Sequence, residues 1–173
     1  MSRLLKFAVA ILLAIAGGVL AASPASAASF VTIRHAPTYY CLDQTFNTGG
    51  PTVDVSYRPS PCASKGSLQW RFEHLATGDN WYRIINSSGW CLSAPNGRGS
   101  RVFAELCVPS IPPKQIWRPY ANGINGMNRL MSVGSGDCLD RSAVFDTLVT
   151  PEVHTCTRAY VSDPGQDFIW FSA

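Results

Sequence analysis

Six cysteines are the residues of this chain whose number and spacing most directly predict chemistry. They are Cys41, Cys62, Cys91, Cys107, Cys138 and Cys156. An even number of cysteines in an exported chain predicts disulfide bonds, because the extracellular compartment is oxidising. No Cys-x-x-Cys pair occurs and histidine is sparse, which argues against a zinc site, so we expect neither a metal nor another cofactor.

Export of the chain is predicted from its N-terminal segment, residues 1–27. The basic residues Arg3 and Lys6 precede an uncharged apolar stretch, Phe7 to Ala22, and small residues lead up to a cleavage position after Ala27. This layout is typical of a secretory signal peptide, which leaves residues 28–173 as the secreted, extracellular protein. The apolar stretch is shorter than the roughly 20 residues that a stable membrane span needs, so we expect no span.

The charge of the chain argues against one class of partner. The formal net charge is +3, to which Arg3 and Lys6 of the signal peptide contribute, and the remaining basic residues form no run. Because nucleic-acid binding requires a basic face, we expect no nucleic-acid partner.

A cysteine-containing triplet recurs three times along the chain. It reads Cys41-Leu42-Asp43, Cys91-Leu92-Ser93 and Cys138-Leu139-Asp140, with spacings of 50 and 47 residues. Each triplet is followed by a second cysteine after 21, 16 and 18 residues, and then by a tryptophan after 8, 10 and 14 residues. This order indicates three homologous repeats, at about residues 30–76, 77–122 and 123–173. The same symmetry selects one disulfide pairing from the 15 possible, namely Cys41–Cys62, Cys91–Cys107 and Cys138–Cys156.

The elements that would position these residues are short β-strands. Brief apolar runs alternate with turn clusters, and no sustained helical period follows the signal peptide. Three repeats of about four strands predict an all-β fold, a β-trefoil, because one repeat cannot bury its apolar face alone whereas three close a barrel. We expect the recurring tryptophans, Trp70, Trp117 and Trp170, to pack in its core.

The triplets, the second cysteines and a Gln-x-Trp motif resemble the ricin B-chain-type lectin family over residues 30 to 173. The motif is intact as Gln115-Ile116-Trp117, whereas the other two repeats read Leu68-Gln69-Trp70 and Phe168-Ile169-Trp170. The resemblance implies a β-trefoil with up to three shallow sugar sites, one per repeat. Each site would combine the acid of the triplet, an aromatic ring shortly before the second cysteine, and a polar residue just before the last tryptophan.

By this resemblance, the third repeat has the most complete site. Asp140 would be its anchor, a surface carboxylate that accepts hydrogen bonds from two sugar hydroxyls. His154 would stack against the sugar ring. Asp167 or Gln166 would fix the orientation of the sugar.

The other two repeats carry less of the pattern. In the first, Asp43 is the acid, and Tyr57 would replace the missing ring. In the second, Ser93 stands in place of the acid, Glu105 in place of the ring, and Lys114 precedes the Gln-x-Trp motif. We therefore expect sugar binding in the third repeat, partly in the first, and not in the second.

Other functions remain open from the sequence. The histidines lie in no known catalytic motif, and Asp43 and Asp140 would be too far apart for a glycosidase pair, so we expect no enzyme. The proline-rich segment Val108–Lys114 would suit a protein-binding β-trefoil such as a protease inhibitor, because a rigid loop lowers the entropic cost of binding. The resemblance also allows the binding subunit of a larger toxin or hydrolase. The sugar itself would be galactose-type or part of a polysaccharide.

Overall fold

A computed structural model describes residues 29–36, 38–45, 52–59, 62, 65–76, 80–121, 128–141, 150–156, 166 and 168–172. The predicted signal peptide, residues 1–27, and the predicted ligand Asp167 lie outside the described residues. Within them, no helix is long and apolar enough to cross a membrane.

The described residues form twelve β-strands and two turns of 3-10 helix. The strands are β1 (Val31–His35), β2 (Cys41–Thr45), β3 (Thr52–Arg58), β4 (Trp70–His74), β5 (Tyr82–Asn86), β6 (Trp90–Ser93), β7 (Phe103–Leu106), β8 (Trp117–Ala121), β9 (Asn128–Ser132), β10 (Cys138–Arg141), β11 (Pro151–His154) and β12 (Phe168–Ser172). One residue separates each 3-10 turn from the strand that follows it. The turn Gly66–Leu68 precedes β4, and the turn Pro113–Gln115 precedes β8. The chain is therefore all-β, as the short apolar runs predict.

Six of the strands close on themselves as a barrel. β1 pairs with β4 and β12, β5 pairs with β4 and β8, and β9 pairs with β8 and β12, all antiparallel. The remaining strands form three hairpins, β2–β3, β6–β7 and β10–β11, which are joined to the barrel through β1, β5 and β9. Ring closure leaves the barrel strands without a free edge.

A disulfide bond ties each hairpin to the segment that follows it. The pairs are Cys41–Cys62, Cys91–Cys107 and Cys138–Cys156, with Cα–Cα distances of 5.9, 5.1 and 4.9 Å. This is the pairing that the repeat symmetry predicts. Each bridge closes a short loop, which is expected to stabilise the fold by roughly 3 kcal/mol, mainly through the unfolded chain.

The core is built from one face of each strand. Leu42, Leu92 and Leu139, the middle residues of the triplets, are fully buried in one apolar cluster. Trp70 and Trp117 belong to the same cluster, as predicted. Because side chains alternate along a strand, the triplet residues on either side of each leucine lie on the opposite face of the hairpin, turned away from this cluster and called its outer face below, although they too are largely buried.

In the third repeat, Phe168 belongs to the same buried cluster, whereas the side chain of Trp170, which was predicted for the core, lies outside the described residues. Trp70 and Trp117 each begin a strand and pair with the last residue of the next barrel strand, Asn86 and Ser132. Phe168 begins β12 and pairs in the same way with His35 at the end of β1. The motif of the third repeat is therefore Gln166-Asp167-Phe168, which keeps the glutamine and replaces the tryptophan.

Candidate functional site

The outer face of the β10–β11 hairpin brings together three of the polar side chains of the third repeat. In the antiparallel register, Cys138 is opposite His154 and Asp140 is opposite Glu152. Residues that are directly opposite each other share one face of the sheet, so the side chains of Asp140, Glu152 and His154 are neighbours. Val153, which lies between Glu152 and His154, is fully buried and faces the core.

Asp140 is held by a hydrogen bond from Gln166. The Nε2 of Gln166 donates to Oδ2 of Asp140 at 3.1 Å and to the carbonyl oxygen of Thr155 at 3.0 Å. Asp140 is 7% exposed, so it is an anchored carboxylate and not the freely exposed surface ligand that the resemblance implied. A carboxylate fixed in this way is oriented before any ligand arrives, which lowers the entropic cost of binding.

Gln166 supports the acid and does not face a ligand. Its side chain is completely buried. The prediction that Gln166 contacts sugar directly is therefore wrong, because the amide nitrogen is used within the protein and no surface is left to touch a ligand. Gln115 occupies the same place in the second repeat, where its Nε2 donates to the carbonyl oxygen of Leu106 at 3.0 Å.

His154 is the accessible ring of this face. Its side chain is 36% exposed, and Nε2 lies 3.0 Å from Oε2 of Glu152. This contact tethers one edge of the imidazole, so the ring has a preferred orientation beside Asp140. Glu152 was not singled out from the sequence, although the alternation of β11 places it on the same face as His154.

In the first hairpin, the acid of the triplet is already paired with an arginine. Asp43 is buried and forms an ion pair with Nε of Arg58, and its Oδ1 is buried with no hydrogen-bond partner among the described residues. Arg58 lies opposite Cys41, as His154 lies opposite Cys138. Sequence reasoning missed Arg58 because it counted back from the second cysteine, and this segment is two residues longer in the first repeat.

Tyr57 is a core residue, which corrects its prediction as a sugar-stacking ring. It pairs with Leu42, is fully buried, and stacks on Phe168 with the ring centroids 6.1 Å apart. No surface of the ring is available to a ligand. Burial raises the pKa of the Tyr57 hydroxyl well above its usual value, the charge of Asp140 raises it further, and Arg141 opposes both.

The triplet of the second hairpin carries a serine in place of the acid. Ser93 lies opposite Phe103, and Glu105 lies opposite Cys91. Nζ of Lys114 is 2.7 Å from Oε2 of Glu105, so these two charges neutralise each other. Nowhere in the described part of the chain do three or more His, Cys, Asp or Glu side chains form a group that could hold a metal ion.

No protein-family model and no curated protein matches the sequence. Among solved structures, the chain is similar to ThreeFoil, a designed 3-fold symmetric protein, with a TM-score of 0.69 and 19% identity over 83% of this chain and 99% of that one. It is also similar to SeviL bound to asialo-GM1 saccharide (TM-score 0.62, 15% identity, 84% of this chain, 98% of that one). A third similar structure is a Polyporus squamosus lectin bound to a human-type influenza-binding epitope. It has a TM-score of 0.63 and 15% identity over 84% of this chain and 49% of that one.

These neighbours are β-trefoil proteins. The chain has the β-trefoil fold. In this β-trefoil, the third disulfide-bridged hairpin is the one that combines a triplet acid, Asp140, with an accessible ring, His154.

Proposed function

We propose that the chain is a secreted carbohydrate-binding protein of the ricin B type, built from three homologous four-stranded repeats and without enzymatic activity. The observation that carries the proposal is the carboxylate of Asp140, held by Gln166 beside the accessible ring of His154. An oriented carboxylate and a ring are what a shallow sugar site needs, because they serve the hydroxyl groups and the apolar face of a pyranose.

The charges of the third hairpin favour neutral sugars. Asp140 and Glu152 lie directly opposite each other, so the face carries two carboxylates. An anionic sugar would meet like charges there, which disfavours its binding. Galactose-type residues, alone or within a neutral polysaccharide, are the ligands we propose.

The three hairpins would contribute unequally. The acid of the first is paired with Arg58, and the second has Ser93 and a neutralised Glu105. One shallow site should bind a monosaccharide with a dissociation constant on the order of 1 mM, about 4 kcal/mol. Tighter binding to a polymer would require a second point of contact.

The experiment is a glycan array on the mature chain, residues 28–173, followed by calorimetric titration of the best monosaccharide. The test variant is Asp140→Asn, which keeps the shape of the side chain and removes its charge. Binding of a neutral sugar by the wild type that is lost in this variant would support the proposal. A wild-type chain that binds no glycan would overturn it.

A second candidate function is protein binding through the loop Val108–Lys114. Leu106 is 60% exposed, Val108 is also exposed, and Ile111 has a positive φ of 32°, which is strained for a β-branched residue. The discriminating measurement is inhibition of a panel of serine proteases in the presence of excess free sugar. Inhibition that the sugar leaves unchanged and that Ile111→Gly removes would favour this function.

A further inference from the structure

The turn before each triplet contains one residue with left-handed backbone conformation. These residues are Tyr39 (φ 58°), Gly89 (φ 87°) and Gly136 (φ 76°), each two positions before the first cysteine of its triplet. Their carbonyl oxygens lie 3.6, 3.2 and 3.7 Å from the sulfur of the second cysteine, Cys62, Cys107 and Cys156 respectively. The three turns are therefore equivalent, and only the first has a side chain at this position.

Tyrosine is an unfavourable residue for this position. Glycine adopts positive φ freely, whereas the Cβ of any other residue crowds the following carbonyl oxygen. The turn nevertheless holds Tyr39 in place: its N–H donates to the carbonyl oxygen of His35 at 2.8 Å, and the Oγ1 of Thr38 lies 2.7 Å from Nδ1 of His35. Such strain persists where the surrounding structure fixes it, and it is concentrated at functional sites.

Packing does not explain the choice of tyrosine. Tyr39 is 58% exposed, so its ring gains little from burial. A Cβ added at Gly89 or Gly136 would meet nothing within 4 Å, which shows that the position opens onto free space. The fold therefore needs no side chain at this position. The chain nevertheless has an exposed aromatic ring there, although the positive φ of Tyr39 favours glycine.

The surroundings of Tyr39 suit a sugar better than a protein surface. Among the described residues, the other exposed large apolar side chains are Leu106, Val108 and Tyr120, which belong to other elements. One isolated ring offers too little area for a protein interface, but it matches the apolar face of one pyranose. Arg58, which lies opposite Cys41 and is 44% exposed, uses its Nε for Asp43, and a guanidinium has further N–H donors.

We infer that Tyr39 is an aromatic platform for a pyranose ring and forms, with Arg58, a glycan subsite at the first hairpin. The inference rests on the proposed function and deepens it, because this subsite would be the second point of contact for a neutral polysaccharide. The ring of Tyr39 covers the apolar face of one sugar residue, and the guanidinium of Arg58 donates to its hydroxyl oxygens.

The test compares Tyr39→Gly, Tyr39→Phe and Tyr120→Ala in the mature chain with intact disulfides. The probes are immobilised galactan and xylan, with thermal melting as the measure of stability. Tyr39→Gly should raise the melting temperature, because glycine relieves the strain, and should weaken binding to the retained polymer by at least about tenfold. Tyr39→Phe keeps the ring and should bind like the wild type, as should Tyr120→Ala, which removes an exposed tyrosine elsewhere.

The outcomes separate the inference from the function on which it rests. If the wild type is retained and Tyr39→Gly binds equally well, the platform is refuted while carbohydrate binding stands. If Tyr39→Phe loses as much affinity as Tyr39→Gly, the ring face is not the contact and the inference fails. If neither polymer retains the wild type, both the inference and the proposed polysaccharide ligand fail.

Discussion

The indole nitrogen of Trp70 donates a hydrogen bond to the carbonyl oxygen of Leu42 at 2.9 Å, deep in the barrel. Trp117 makes the same bond to Leu92 at 2.8 Å. Each bond joins the aromatic residue that begins a barrel strand to the middle residue of the triplet in the hairpin. The triplet and the tryptophan that recur together in the sequence are therefore in direct contact in the structure, and this contact links the hairpin to the barrel.

Replacing Trp70 with phenylalanine should destabilise the protein without changing its fold. The variant leaves a buried carbonyl oxygen without its donor, at a cost of about 1–3 kcal/mol, and the smaller ring adds a cavity cost of roughly 1 kcal/mol. The fold should survive because Phe168 occupies the equivalent position in the third repeat. Urea unfolding followed by circular dichroism measures the change. A loss below about 0.5 kcal/mol would show that the bond contributes little.

Gln166 and Gln115 form a matched pair that separates stability from binding. Each donates to a backbone carbonyl oxygen before the second cysteine of its repeat, but only Gln166 also holds an acid, Asp140. Leu68 stands at the same place in the first repeat, so leucine fits there. Both Gln→Leu variants should lose about 1–2 kcal/mol of stability. Only Gln166→Leu should weaken sugar binding, by roughly fivefold or more, about 1 kcal/mol; equal effects in calorimetry would contradict this.

The Tyr57 hydroxyl should make stability fall at alkaline pH. Its pKa is raised in the folded state by burial, so above pH about 10 the unfolded chain has lost the proton that the folded chain retains. The free energy of unfolding then decreases by up to about 1.4 kcal/mol per pH unit until the folded pKa is reached. Urea unfolding at pH 9 and pH 11 should show a smaller decrease for Tyr57→Phe than for the wild type.

Tyr57→Phe also provides a check at neutral pH. The hydroxyl oxygen is buried and has no hydrogen-bond partner in the described part of the chain. Removing it should leave the free energy of unfolding at pH 7 unchanged or slightly higher, since an unpartnered buried hydroxyl is unfavourable. A large loss at pH 7, or an alkaline slope equal to that of the wild type, would show that the hydroxyl is solvated or bonded.

The fold was predictable because its signals are local and repeated. Triplets such as Cys41-Leu42-Asp43 and the second cysteines recur at similar spacing, and this was enough to predict strands and the disulfide pairing. The position of Phe168 was not predictable in the same way. Trp170 lies two residues later and has the same residue type as Trp70 and Trp117, so the sequence favours it. Only the pairing of Phe168 with His35 shows which aromatic residue begins the strand.

The candidate site was predictable only in part, because it depends on register. Asp140 and His154 share a face, as their places in the repeat suggest. Tyr57 faces the core instead, because a difference of one residue in a strand reverses the direction of the side chain. Arg58, the next residue along, is the one on the outer face. The spacing of 21 residues between Cys41 and Cys62 shows that the first repeat is longer, but it does not show that two of the extra residues lie between Arg58 and Cys62.

The sharpest prediction concerns the ranking of the three triplets. Asp140→Asn should abolish measurable sugar binding, because losing a charged acceptor costs roughly 1.5–3 kcal/mol, most of the affinity of a millimolar site. Asn is preferred to Ala because Asp140 is largely buried and Gln166 needs an acceptor. Asp43→Asn should give at most a partial loss, since Arg58 already occupies that carboxylate. Ser93→Ala should have no effect on binding.

Calorimetric titration of the three variants with one sugar tests this ranking, and melting curves serve as the folding control. Asp43→Asn should also lower the melting temperature, because it removes the charge that pairs with Arg58 next to a buried oxygen. A variant that melts like the wild type and has lost its affinity identifies a ligand contact. If Ser93→Ala weakens binding as much as Asp140→Asn, the third hairpin is not the principal site, because a hydroxyl in the second hairpin would then matter as much as the anchored carboxylate.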